Sequence, residues 1–172
     1  MSQPLFNSEQ LATEWASRIC DRLSEIGVSR EEIEETRTII FSFTRIAADE
    51  LSQKREIKLP YTDTPFMVEA DHAHQIIDLF LRGVNQTSKK LRDSRMDWPR
   101  RKVILESLAW KLFNLAKLLV AFMYVPNPNL PKNLTQNAKD LQLLMKQTAN
   151  KLLSEETNDI EGGGIPLPWN NY

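Results

Sequence analysis

Residues 103–125, VILESLAWKLFNLAKLLVAFMYV, form the longest apolar run in the chain, and any fold must bury it. The run contains Glu106, Lys111, Asn114 and Lys117. On a helical wheel at about 100° per residue these four side chains fall within about 140° of one another. A lipid-exposed span would not keep a continuous polar stripe carrying three charges. A helix buried on most sides, with one edge in water, would. The run therefore predicts the central helix of a soluble core, with no membrane contact.

Turn chemistry narrows the rest. The 172 residues include only five glycines, three of them consecutive at 162–164, which leaves little material for tight hairpins. The fold class expected is all-α, a single bundle of about five helices. Leu11, Ala12, Trp15, Ala16, Ile19, Leu23 and Ile26 repeat at helical spacing from about Ser8, and Gly27 stands where a helix stop belongs. Ser29 and Glu32 have capping-box spacing, and Val28 with Ile33 that of a hydrophobic staple, so a second helix starts there. Its buried face is read as Ile33, Ile40, Phe43, Ala47 and Leu51, flanked by Ile39 and Ile46, with Phe41 pointing away.

Leu59–Pro65 reads as a loop, and Thr64 followed by Pro65 as the start of helix three. Phe66, Ala70, Ala73, Ile77, Phe80, Val84 and Leu91 form that helix's stripe, which ends near Ser94. Pro99 opens the central helix, and Pro126 closes it. After the proline-rich connector PNPNLPKN, helix five is expected over 134–153, with Asn133 and Gln136 at capping spacing.

Residues 1–154 thus make one helical domain, and 155–172 a tail of different character. EETNDIEGGG is a flexible spacer, and Ile165-Pro-Leu167-Pro-Trp169 an apolar, pre-extended end that either folds back or docks on a partner. The composition, 41% hydrophobic and 26% charged, is that of a globular domain. A single cysteine, Cys20, precludes an internal disulfide and fits a reducing compartment. The N-terminal MSQPLFNSEQ lacks the basic and apolar regions of a secretory signal, so the expected location is cytoplasmic.

Catalytic patterns are wanting. Glu69-x-x-His72 has the spacing of di-metal bundles, but such sites need a second copy of the motif, and the other histidine, His74, lies on another side of the helix. Cys20 reads as a small packing residue. There is no Gly-x-Ser-x-Gly elbow and no phosphate-cradling glycine loop. Neither an enzyme, a metal site nor a cofactor is expected.

The anomaly is electrostatic. Arg82, Lys89, Lys90, Arg92, Arg95, Arg100, Arg101 and Lys102 stand against only Asp93 and Asp97, in a chain of net charge −1. They straddle the turn between helices three and four, with Trp98 among them. Cations around an aromatic ring suit a nucleic-acid backbone, with the ring free to stack. The helix dipole favours the cations ending helix three but disfavours Arg100–Lys102 at the start of helix four. Two other readings stay open: a solvated surface paired with Glu31–Glu35 or Glu155–Glu161, and a contact with an acidic protein.

At the level of architecture, this basic patch on a five-helix frame resembles the small all-helical subunits of CRISPR effector complexes. That likeness implies a non-catalytic subunit whose basic side chains hold DNA or RNA backbone beside other protein subunits. Phe41, Leu143 and the tail residues Ile165, Leu167 and Trp169 would then meet protein partners. The alternative is a protein–protein adaptor or regulatory bundle that binds no nucleic acid.

Overall fold

The computed structural model describes residues 5–125, 128 and 138–162, apart from the side chains of 138 and 157–162. Within them the protein is an all-α bundle: α1 (Ser8–Glu25), α2 (Arg30–Gln53), α3 (Ala70–Asp93), α4 (Trp98–Tyr124) and α5 (Ala138–Gly162). A two-stranded ribbon, β1 (Glu56–Ile57) and β2 (Phe66–Met67), joins α2 to α3. No helix among the described residues is long and apolar enough to cross a membrane.

Local chemistry sets most of the helix ends. Asn7 caps α1 by accepting from Gln10 N–H, and Gly27, at φ +79°, takes the left-handed conformation that follows its C-cap. Ser29 caps α2 through Glu32 N–H, and Asp97 caps α4 through Arg100 N–H, with Pro99 in the first turn. At the end of α3 the chain turns through Arg95, the one described non-glycine residue with positive φ, at 64°.

The start of α3 departs from the expected position at Pro65. Phe66 and Val68 are buried while Met67 between them is 52% exposed, a period of two. Ile57 pairs with Phe66, and Val68 N–H donates to Arg55 C=O at 2.7 Å. Pro65 also biases Thr64 toward extended backbone, so the segment joins a ribbon and leaves the helix to begin at Ala70. The expected first turn of α5 falls outside the described residues. At its other end α5 continues to Gly162, past the periodic stretch ending at Leu153, and Glu156 anchors this extension. Its carboxylate accepts from Ser107 Oγ at 2.6 Å and meets Lys111 Nζ at 3.6 Å.

Cross-helix contacts give the directions. Ser8 with Asp49 and Cys20 with Ile33 make α1 and α2 an antiparallel hairpin. Glu35 with Lys102, Phe43 with Trp110 and Glu50 with Lys117 make α2 parallel to α4. Gly83 against Met145 and Gln86 with Asn150 make α3 parallel to α5. The core gathers Ile40, Ala47 and Leu51 of α2, Ile76, Ile77, Phe80 and Leu81 of α3, Ile104, Leu108, Leu112 and Phe113 of α4, and Leu141, Met145 and Leu152 of α5. Helix α4 lies in this core as expected and shares its centre with α3, each packing on the other and on α2 and α5. Lys111 and Lys117, on the polar edge of α4, are held by Glu156 of α5 and Glu50 of α2.

The buried face of α2 is the expected one in part, with Ile39, Ile40, Ala47 and Leu51 buried. Glu32, Thr36 and Thr44 are buried, whereas Ile46 is 50% exposed and Ile33 and Phe43 are half-buried. The helix is covered from two sides, by α1 and by the α3–α4 pair, which turns its buried stripe away from the isoleucine–phenylalanine line.

Candidate functional site

The sequence marks residues 82–102 as the basic centre, and the structure divides them. Three are tied to α2. Arg101 Nη1 lies 2.5 Å from Glu32 Oε1, off hydrogen-bond angle but in ion-pair contact, and its Nε–H donates to Met96 C=O at 3.0 Å. Both partners of this pair are nearly buried. Lys102 Nζ sits 3.3 Å from a Glu35 carboxylate oxygen, and Trp98 Nε1–H donates to that same oxygen at 2.8 Å. The Trp98 hydrogen bond, with the neighbouring Lys102, holds the Glu35 carboxyl below the usual carboxylate range. Arg101 also lies over the Trp98 ring, 5.4 Å from its centroid. Trp98, half-buried and engaged on both edge and face, closes the α2–α4 end of the bundle.

The remaining cations face outward to different degrees. Lys89, Lys90, Arg95 and Arg100 are exposed at the α3–α4 end, beside the exposed Asp93 and Asp97. Arg92 is half-buried, and among the described residues its Nη1 has no hydrogen-bond partner. Arg82 belongs elsewhere. It pairs with Asp78 at 2.8 Å, one turn away, on the wall of a groove bounded by α1, α3 and α5.

That groove, of about 490 Å³, is where sequence reasoning did not look. Arg18 and Arg22 come from α1, Arg82 from α3, and Lys139 and Lys146 from α5, against the single acid Asp78. All five cations are exposed. Arg18 lies over the Trp15 ring at 4.7 Å, which holds its guanidinium at the rim. Ile19 and Leu81 line the groove between them, with Leu143, 55% exposed, on the α5 side. Lys89 continues the α3 wall two turns beyond Arg82, as helical spacing requires. No local signal could reveal the set, because its α1 and α5 members lie more than a hundred residues apart and meet Arg82 only when α1 and α5 flank α3.

Of the expected partner-facing residues, Leu143 is exposed as read and lies on this groove. Phe41 is a correction. It is half-buried and packed against the core, because the two-sided cover of α2 reaches round to it. Ile165, Leu167 and Trp169 lie outside the described residues.

The Glu69-x-x-His72 pair serves structure. Glu69 is the N-cap of α3, and its backbone N–H donates to His72 Nδ1 at 3.2 Å. The His72 ring packs on Tyr124 and Phe66, with centroids 4.4 and 4.8 Å away. His74 instead meets Phe6 edge-on at 5.1 Å. Among the described residues no three histidine, cysteine or carboxylate side chains are placed to hold a metal. Cys20 is buried, and burial pushes its thiol up from the usual range.

No family model matches the chain, and neither a curated protein nor a solved structure does so.

Proposed function

We propose that the chain is a non-catalytic helical subunit of a larger assembly, which holds a polyanion, DNA or RNA backbone, along the α1–α3–α5 groove. One observation carries the reading: five exposed cations from three helices converge on a single groove containing one acid. Phosphate neutralisation needs cations spaced along a surface and demands no base contact. Arg18, Arg22, Arg82, Lys139 and Lys146 supply that spacing, and Lys89 extends it toward Lys90, Arg95 and Arg100. Leu143 and Ile19 offer apolar surface to the bases of a single strand. The likeness to small CRISPR subunits rests on the Arg82–Lys102 patch on the helical frame, and of that patch Arg82 lines this groove while Lys89, Lys90, Arg95 and Arg100 are exposed beyond it.

Fluorescence anisotropy with labelled single- and double-stranded DNA and RNA, from low to near-physiological salt, tests it. The expected result is binding that weakens linearly on a log–log salt plot. Arg18→Glu with Lys146→Glu weakens it on every sequence, each lost phosphate contact taking about one from the slope. Absence of binding at low salt removes the reading.

A further inference from the structure

A second face carries the reverse charge. Where α2 and α4 run side by side, Val103 is 61% exposed, Ile46 50% and Trp110 38%, next to the half-buried Phe43. Phe43 and Trp110 meet edge to face at 5.4 Å, so the apolar floor is a rigid pair of rings. Two shallow depressions run along this seam and share Glu35, Lys102 and Glu106. One reaches Glu31 and Trp98 at the start of both helices, and the other reaches Phe43, Ile46 and Trp110. Four carboxylates, Glu31, Glu32, Glu35 and Glu106, line the first depression. Arg101 and Lys102 pair with Glu32 and Glu35, so Glu31 and Glu106 give this end its excess negative charge.

We propose that this seam docks a basic amphipathic helix of another protein. From Glu31 to Ile46 the seam extends about 22 Å, at about 1.5 Å per residue, the length of a four-turn helix. The exposed side chains offer an apolar track with acids at one end, which a helix answers with apolar anchors at i, i+3/i+4 and i+7 and with Lys or Arg at its matching end. Charge decides against the other occupants. A phosphate backbone or an acidic segment meets Glu31 and Glu106, and a second copy offering this same face sets acid against acid. The partner thus lies on a face that shares no lining residue with the basic groove, which leaves that groove open.

The probe is a fluorescein-labelled peptide of about 16 residues, long enough for about four turns, with leucines on one face and lysines elsewhere. Two controls accompany it: an isomer with the leucines scattered, and a twin carrying Glu for Lys. The full chain should bind the amphipathic lysine peptide about tenfold more tightly than the scattered isomer, and the acidic twin not at all. Ile46→Asp with Val103→Asp should abolish that preference, and Glu31→Lys with Glu106→Lys should weaken binding about tenfold. Leu143→Ala, in the other groove, should change neither. Should the aspartate pair unfold the chain by circular dichroism, Ile46→Ala with Val103→Ala replaces it, with the preference expected to fall. Equal binding of the scattered isomer, unchanged binding by the seam variants, or wild-type self-association that these variants abolish would each overturn the proposal. Nucleic-acid anisotropy of the charge-neutral Ile46→Ala with Val103→Ala variant separates this result from the groove's, since it should stay at the wild-type value.

Discussion

Arg101 and its neighbour Arg100 look equivalent in the sequence and have different surroundings. Arg100 is exposed, while the Arg101 guanidinium is enclosed between Glu32, Met96 C=O and the Trp98 ring. Removing one member of a nearly buried ion pair strands the other charge. Arg101→Ala should therefore cost about 3–5 kcal/mol in urea unfolding, whereas Arg101→Met with Glu32→Leu should recover most of that loss. The local excess of positive charge was legible in the run from Arg82 to Lys102. Its division was not, because each partner on α2 is more than sixty residues away and becomes adjacent only on packing. Arg95 holds a left-handed conformation that glycine adopts freely, at φ 64°. Arg95→Gly should leave stability unchanged or raise it by up to about 1 kcal/mol, a way to remove this cation without harming the fold. Titration gives a further test. The Glu35 carboxyl is held low by Trp98 and Lys102, so its contribution is complete above the ordinary carboxylate range and is lost as pH falls through its lowered value. Trp98 fluorescence should change in that acidic window. Burial raises the Cys20 thiol and the Tyr61 hydroxyl, so their contributions hold below the ordinary thiol and phenol ranges and vanish as pH climbs through the raised values.

Where α3 packs on α5, Gly83 leaves little room for a side chain. A Cβ there would stand 2.9 Å from Met145 Sδ and 3.4 Å from Leu112 Cδ2. Glycine inside a helix sacrifices local stability, and here it permits the contact. Gly83→Val should overpack this site and lower stability by about 1–3 kcal/mol in chemical denaturation. Relaxing it with Met145→Ala in the same chain should cost less than the sum of the two single changes. The beginnings of α1, α2 and α4 were legible because Asn7, Ser29 and Asp97 satisfy donors within three residues, an interaction local in sequence. The beginning of α3 was misread from Pro65, whose fixed φ suits a ribbon as well as a first helical turn. Glu69 and His72 mark the true start, in the spacing that also raises a metal site, and their caps decide between the two. The stripe on α2 was read only in part, with Ile40, Ala47 and Leu51 right and Glu32, Thr36 and Thr44 missed, because periodicity locates a single buried face and α2 has two.

At the scale of the whole molecule, near-neutral net charge conceals two faces of opposite sign. The α1–α3–α5 groove gathers five cations and one acid, while the α2–α4 seam has a carboxylate excess at one end of an apolar track. Periodicity, cap spacing and turn residues revealed the class and the number of helices, since both follow from local pattern. Neither groove was legible, since each is assembled from helices that the chain order separates. The α1–α2 hairpin has another consequence. Helix α1 packs chiefly on α2, and α2 meets the rest of the bundle through Ile40, Ala47 and Leu51 in the core, through ion pairs with Arg101, Lys102 and Lys117, and through the Phe43–Trp110 contact. The hairpin should thus open at lower cost than α3, α4 and α5 part from one another. Amide exchange should be faster in residues 8–53 than in the core of α4, and faster still at high salt. Since α1 is one wall of the basic groove, opening the hairpin would dismantle the groove, and a polyanion held there as proposed would act as a latch. Bound ligand should slow exchange across α2, a helix it never touches.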